Sequence, residues 1–175
     1  MPVAAPASKP RAAMAAVRPA LPWDGADLQQ FIRELSPESR HARFMMGVRE
    51  LPADMLGRVL HPYPGEAAIV ATAPTLDIIG LAQYAADDGG CEVALVVADA
   101  WQRQGLGTRL LGTIARLAAE NGVRGFHADV LADNHKMLGL ARKFGCRIAT
   151  NPRAPYLVRI SKRLDIDIRV AGEGR

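Results

Sequence analysis

The run Val93 to Leu111 reads VALVVADAWQRQGLGTRLL. An apolar stretch of strand length passes through Gln-Arg-Gln-Gly-Leu-Gly into a stretch with helical spacing. Gly105 and Gly107 let the backbone come close to a ligand and free its N–H groups to point outward. The helix that follows adds the partial positive charge of its N-terminus. Together these features make an anion site suited to a pyrophosphate. Two better-known phosphate motifs are absent. No GxxxxGK[ST] run exists, and a GxGxxG fingerprint would need glycine where Leu110 stands. A GxG alone also fits a glycine-rich helix entry that holds no ligand. His41, His61 and His135 lack metal-ligand spacing, and Cys91 and Cys146 lack CxxC spacing, so no metal is expected. Cys91 reads as a small buried apolar residue rather than a nucleophile, since no base adjoins it in sequence.

The elements that must position this loop follow from periodicity and stop signals. Residues 14–19 predict a first strand, and residues 1–13, rich in Ala and Pro, predict a disordered tail. Trp23–Leu35 predicts a helix capped by Asp24, with Leu28, Phe31, Ile32 and Leu35 on one face. Ser36-Pro37 opens a second helix, and Pro52 a third that runs to Leu60. Residues 67–72, 76–85 and 91–98 read as strands, the last two joined by the hairpin signal Asp87-Asp-Gly-Gly90. A helix over 105–121 stops at Gly122. A strand over 123–131 leads to a helix capped by Asp133 and ended by Gly145, and a final strand covers 156–161. His127 and Asp129 share one face of their strand, where a surface or structural pair is expected. Trp23 and Trp101 are expected to pack. This order gives an α/β (α+β) fold with a mixed sheet flanked by helices: one domain over 14–165 and a short C-terminal tail over 166–175.

Composition narrows the function classes. The chain has 175 residues, 49% hydrophobic and 23% charged, which suits one globular domain with a core of its own. No apolar run is long enough to span a bilayer, and two cysteines imply a reducing compartment, so a cytoplasmic protein is expected. The net charge is +4, but aromatics make up only 5% and no basic run interleaves them, which argues against nucleic acid. Residues 21–98 hold five arginines against eleven acids, whereas residues 99–147 hold eight basic residues against four acids. An acidic half could attract a cationic substrate and a basic half a phosphate-bearing one, although ordinary surface charge gives the same numbers.

The motif Gln102-x-x-Gly105-x-Gly107 at a strand–helix junction resembles the acetyl-CoA signature [QR]xxGx[GA] of the GNAT acetyltransferases. Downstream, LADNHKMLGLARKFGC is similar to the family's Asn-x-x-[AM] helix, with Asn134 and Met137 in the matching positions and Cys146 replacing the usual Phe after Gly145. Upstream, LQQFIRELSPESRHARFMM (Leu28 to Met46) and GCEVALVVADAWQRQGLG (Gly90 to Gly107) resemble the catalytic domain of Pat-type protein lysine acetyltransferases. The resemblance implies a mostly antiparallel GNAT-like sheet and direct transfer of acetyl from acetyl-CoA to an amine. It implies a protein lysine as acceptor, on an acyl-CoA synthetase or a similar protein. A polyamine or aminoglycoside-like amine, or a non-catalytic acyl-CoA sensor, are the rival readings. Pairing of sheets between two subunits is common in the family and leaves a homodimer open.

Direct transfer needs a base for the ammonium, a donor for the thioester oxygen and a proton for the leaving thiolate. Glu92, ten residues before Gln102, matches the Pat-type glutamate and is the expected general base. Its neighbours Cys91, Val93 and Ala94 suggest an apolar setting. The resemblance implies that the backbone of Leu95, Val96 and Val97 holds the pantetheine arm as an added strand would. It also implies that Gln102, Arg103, Gln104, Gly105, Leu106, Gly107 and Thr108 wrap the pyrophosphate, and that Asn134 faces the cofactor arm or, as a polar residue at a helix start, caps it. The family tyrosine that protonates the thiolate is replaced here by Ala141, so solvent is the expected proton source.

Overall fold

The computed structural model describes residues 12–150 and 152–164. The expected C-terminal tail and most of the expected N-terminal one lie outside that range. Ala12 and Ala13 do not continue the tail: they belong to a 3-10 turn, Ala12–Met14, that buries Ala12 in the core.

The first strand is β1 (Ala16–Pro19). Three helices follow: α1 (Gly25–Glu34), α2 (Pro37–Phe44) and α3 (Ala53–Leu60). Then come β2 (Glu66–Thr72), β3 (Ile78–Asp87) and β4 (Gly90–Val97). Helix α4 (Leu106–Glu120) leads to β5 (Gly125–Leu131), and α5 (His135–Lys143) to β6 (Arg147–Thr150) and β7 (Leu157–Arg163). The strands form one seven-stranded sheet in the order β1-β2-β3-β4-β5-β7-β6. Every neighbouring pair is antiparallel except β4 and β5. The expected fold class is therefore observed.

Three strand and cap expectations need correction. Leu76 is not in β3 but in the turn before it, at a φ of 72°. Strand β6, too short and polar to read as one, adds an edge beyond β7. Helix α5 is capped by Asn134, whose side chain accepts a hydrogen bond from the Met137 N–H at 3.0 Å, and not by the exposed Asp133.

Alternation along the strands sends side chains to two layers. On one face Leu28, Phe31 and Ile32 of α1, Phe44 of α2 and Val59 of α3 bury against Val70, Leu81 and Val96. On the other, Leu106, Leu110, Leu111, Ile114 and Ala118 of α4 bury against Ile69, Ala82, Cys91 and Val93. Helix α5 covers the far end of that second face, where Leu138 and Ala141 meet Ala128, Val130 and Ile160. Trp101 packs against the α4 layer as expected, whereas Trp23 is 74% exposed.

Asp24 does not cap α1. It is buried, and both its carboxylate oxygens accept from the Arg18 guanidinium, at 2.7 and 2.8 Å. It also accepts from the Leu21 N–H at 2.8 Å. The Arg18 hydrogen bond holds the carboxyl below its usual range despite its burial. This pair ties β1 to the turn that launches α1.

The join between β4 and β5 depends on two glycines. Gly90 has a φ of 133°, and a Cβ there would lie 2.2 Å from the Gly125 carbonyl oxygen. Only a residue without a side chain lets the two strands come this close.

Gly90→Ala is therefore expected to lose on the order of 3 kcal/mol in urea unfolding. Gly57→Ala in mid-α3, where a Cβ meets nothing within 4 Å, should instead gain about 0.5–1 kcal/mol. The Asp24–Arg18 pair makes a pH prediction. A folded-state value depressed below about 3.9 stabilises above that value and is lost as the pH falls through the folded-state value. Asp24→Asn should cost about 2 kcal/mol at pH 7, and the gap to wild type should close below about pH 4. Equal losses at pH 7 and pH 3 would contradict this account.

Candidate active site

Parallel pairing of β4 with β5 is confined to Cys91–Phe126 and Glu92–His127. Beyond Glu92 the strands part. Residues Val93–Val97 keep their antiparallel partners in β3. On the other side they face a cleft of about 820 Å³, closed opposite by Ala128–Val130 and α5. Along this open edge of β4, backbone N–H and C=O groups that a neighbouring strand would pair are left for a ligand.

The far end of the cleft is the entry to α4. Gly105 is its N-cap at a φ of 87°, and no side chain caps the helix. Arg103, also in the left-handed region at 60°, completes the tight loop. The first-turn N–H groups have no partner within the helix and carry its positive end. Around Gly107 nothing in the protein comes closer to a Cβ position than Leu140, at 3.5 Å, so its missing side chain leaves room on the cleft side.

Helix α2 forms the near wall and runs antiparallel to β4. Its first turn is anchored where β4 ends. Asp99 accepts from the Ser36 N–H at 2.9 Å, the Ser36 hydroxyl at 2.8 Å and the Ser39 hydroxyl at 2.7 Å. Burial pushes the Asp99 carboxyl up, but these hydrogen bonds outweigh it and leave the group below its usual range. Gln102 donates through its amide to the Ser39 hydroxyl and to the Val97 carbonyl, each at 3.0 Å. Across the cleft mouth Lys136 of α5 meets Glu38 of α2 at 3.1 Å, with both side chains largely exposed.

The other end of α2 lies near Glu92. Glu92 is exposed, on the last register pair before the strands part. The apolar setting expected for it is not found. Cys91 and Val93 point to the opposite face, as strand alternation requires, and bury in the α4 layer. On Glu92's own face stand Arg43 of α2, which feels its charge, and the partner residue His127. His127 and Asp129 do not pair with each other. His127 meets Asp87 at 3.1 Å, while Arg159 binds Asp129 through two hydrogen bonds, at 2.7 and 2.9 Å, and lowers its carboxyl. Burial pushes the Cys91 thiol up to about 11, with Asp87 adding to the effect, so it carries no thiolate at neutral pH.

The cleft thus gathers Glu92, Leu95, Val96, Val97, Gln102, Arg103, Gly105, Gly107, Thr108 and Asn134. Two of the named residues stand apart by their side chains. Gln104 accepts from the Ala12 N–H and donates to the Ala100 carbonyl, and Leu106 is fully buried in the core. Asn134 spends its carbonyl oxygen on capping α5. Ala141 offers only a buried methyl group, and none of the tyrosines lines the cleft. Arg43, Ser39 and Asp99 were not singled out from sequence. Nothing in residue type or spacing marks them, because their roles depend on α2 lying against β4. Among the described residues no group of His, Cys, Asp and Glu is placed to hold a metal ion, and no helix is long and apolar enough to cross a membrane.

Residues 30–146 match the acetyltransferase (GNAT) family. The acetyltransferase PA5475 of Pseudomonas aeruginosa is 32% identical over 135 residues, which cover 74% of this chain and 73% of that one. The GNAT domain of S. lividans PAT is 30% identical and superposes with a TM-score of 0.79, covering 86% of this chain and 90% of its own. YncA of Salmonella typhimurium, solved with acetyl-CoA, has the same fold at 18% identity, a TM-score of 0.68, and coverage of 93% of this chain and 99% of that one. The splayed strands, the glycine-rich helix entry and these relatives agree: the chain belongs to the GNAT family and is an N-acetyltransferase.

Proposed function

We propose that the protein transfers acetyl from acetyl-CoA to a protein lysine, with Glu92 as general base. The observation that carries this reading is the position of Glu92 at the vertex between β4 and β5, at the opposite end of the cleft from the α4 entry. The two ends suit the two halves of the reaction.

The cleft fits acetyl-CoA on its own terms. Its volume of about 820 Å³ lies in the range of cofactor sites. The uncapped first turn of α4, with Gly105 and Gly107, offers N–H donors to a pyrophosphate, and the exposed Arg103 stands beside them as a cation. The open edge of β4 at Leu95, Val96 and Val97 offers backbone partners to the amides of a pantetheine arm. Gln102 serves this arm indirectly: its hydrogen bonds to Val97 and Ser39 fix the wall on which it would lie. When bound, acetyl-CoA supplies a thioester whose carbonyl carbon accepts the amine.

Each chemical requirement then falls to a group of this chain. Glu92 takes a proton from the acceptor ammonium, directly or through one water, which its exposure permits. A backbone N–H on the open edge of β4 donates to the thioester oxygen as negative charge gathers there. Solvent supplies the proton for the thiolate, since no tyrosine lines the cleft. A lysine acceptor is supported by the match of Leu28 to Met46 to the Pat-type catalytic domain, and by the likeness to the GNAT domain of S. lividans PAT. An acyl-CoA synthetase is the first acceptor to test.

Glu92→Gln should lower kcat toward such an acceptor by about 10²- to 10⁴-fold while leaving acetyl-CoA affinity within about two-fold of wild type. Mass spectrometry of the acceptor and calorimetry of acetyl-CoA binding check the two halves. Unchanged turnover would remove Glu92 from the mechanism. Acetylated polyamine with no acetylated lysine would move the function to small-molecule transfer.

A further inference from the structure

Arg43 stands in the wall of the cleft, its guanidinium 4.8 Å from the centroid of the Phe44 ring. It makes no hydrogen bond or ion pair with another described residue, and its Nε is sealed from water with nothing to donate to. The Nε is closed to a ligand as it is to water, but the side chain is only partly buried, and its terminal nitrogens, which are not sealed, have no hydrogen-bond partner in the wall of the cleft. Burial pulls this guanidinium down to about 10, with the attraction of Glu92 opposing the effect. It is still a cation at neutral pH. Glu92 draws on it through space without forming an ion pair, which leaves the planar fork of Arg43 free for an anion.

The adjoining surface carries charges of both signs, with Asp87 against His127 and Asp129 against Arg159. From Glu92 the sheet face continues through its partner His127 to β7 and β6. No described helix covers it there, because α5 packs on the opposite face against Ala128, Val130 and Ile160. Register places Arg147, Arg159 and Arg163 on this uncovered face, all three exposed. Asp129 beside them is already engaged by Arg159.

We propose that Arg43 selects the acceptor: it pairs with a carboxylate lying close to the amine that Glu92 deprotonates, so that the preferred substrate is a lysine flanked by an acidic residue. This rests on the lysine reading for the kind of acceptor, but not for the role of Arg43. An ammonium facing Glu92 and a carboxylate facing Arg43 would hold the acceptor at two points and aim its nitrogen into the cleft. Such fixing is what direct transfer needs. Polyamines, which carry no anion, would leave Arg43 unpaired and are disfavoured.

Two paired measurements test this separately from the lysine reading. Calorimetry in the presence of CoA compares 6-aminohexanoate with its neutral amide, 6-aminohexanamide, on wild type, Arg43→Gln and Arg43→Lys. Wild type should bind the carboxylate on the order of 30-fold more tightly than the amide. Arg43→Gln should erase that difference while CoA and amide affinities hold, and Arg43→Lys should restore part of it. Equal binding of the two amines by wild type, binding of neither, or an equal loss of both in Arg43→Gln would overturn the assignment. Acetylation of Glu-Lys-Glu and Gln-Lys-Gln peptides then reports on the acceptor. A KM at least ten-fold lower for the acidic peptide, lost in Arg43→Gln, extends the assignment to lysine. If the carboxylate preference holds in binding and neither peptide is acetylated, the lysine reading falls and Arg43 keeps its anion.

Discussion

The rest of the site depends on β4 and β5 pairing at one end and parting at the other. Parallel contact ends after Glu92–His127, at the end of the sheet where Gly90 and Gly125 nearly touch. Had the strands stayed paired, the edge of β4 would have spent its hydrogen bonds on β5 and no cleft would exist. Because they separate, β4 keeps one neighbour in β3 and offers its other edge to a ligand. The hydrophobic layers make this affordable. Helix α4 buries against β2, β3 and β4, while α5 buries against β5 and β7, so each half of the sheet has its own core.

That division sets a polarity along the cleft. Unpaired backbone N–H groups collect at one end, where α4 begins without a side-chain cap. Charged groups stand at the other, where Glu92 acts on Arg43 through space. Helix α2 spans the two. Its N-terminal serines are tied to Asp99 and Gln102 near the entry to α4, and Arg43 on its last turn lies toward Glu92. A shift of α2 would disturb both ends at once, which gives the Asp99–Ser36–Ser39–Gln102 network a positioning role even though it touches no reacting atom.

Much of the site was legible before folding was considered, because its chemistry is local. A glycine-rich loop between a strand and a helix suits a phosphate by backbone geometry, and Gly105, Gly107 and Thr108 line the cleft. Helices α1 and α4 were legible for the same reason, since their apolar stripes repeat within a few turns. Where structure and sequence pattern diverge, the cause is long-range packing. The sequence neighbours of Glu92 suggest an apolar setting, but a strand sends neighbours to opposite faces, and its real surroundings come from α2 and β5. Asp24 precedes a helix and so looks like its cap, whereas Arg18 on β1 claims it. Asp133 and Asn134 both suit a helix start, and only the backbone path decided for Asn134.

What the sequence determined by itself is the set of short-range features: the strand, glycine-rich loop and helix around Gly105, the amphipathic faces, the hairpin at Asp87–Gly90 and the family to which they belong. Each is written in residues close enough in the chain to constrain one another directly. Only the tertiary structure decided where β4 and β5 part, which charges face Glu92, and that Arg43 lines the cleft without a hydrogen-bond partner. These depend on register and on helix placement between segments far apart in sequence. No local pattern encodes such contacts, because burial and electrostatic environment are properties of the packed chain.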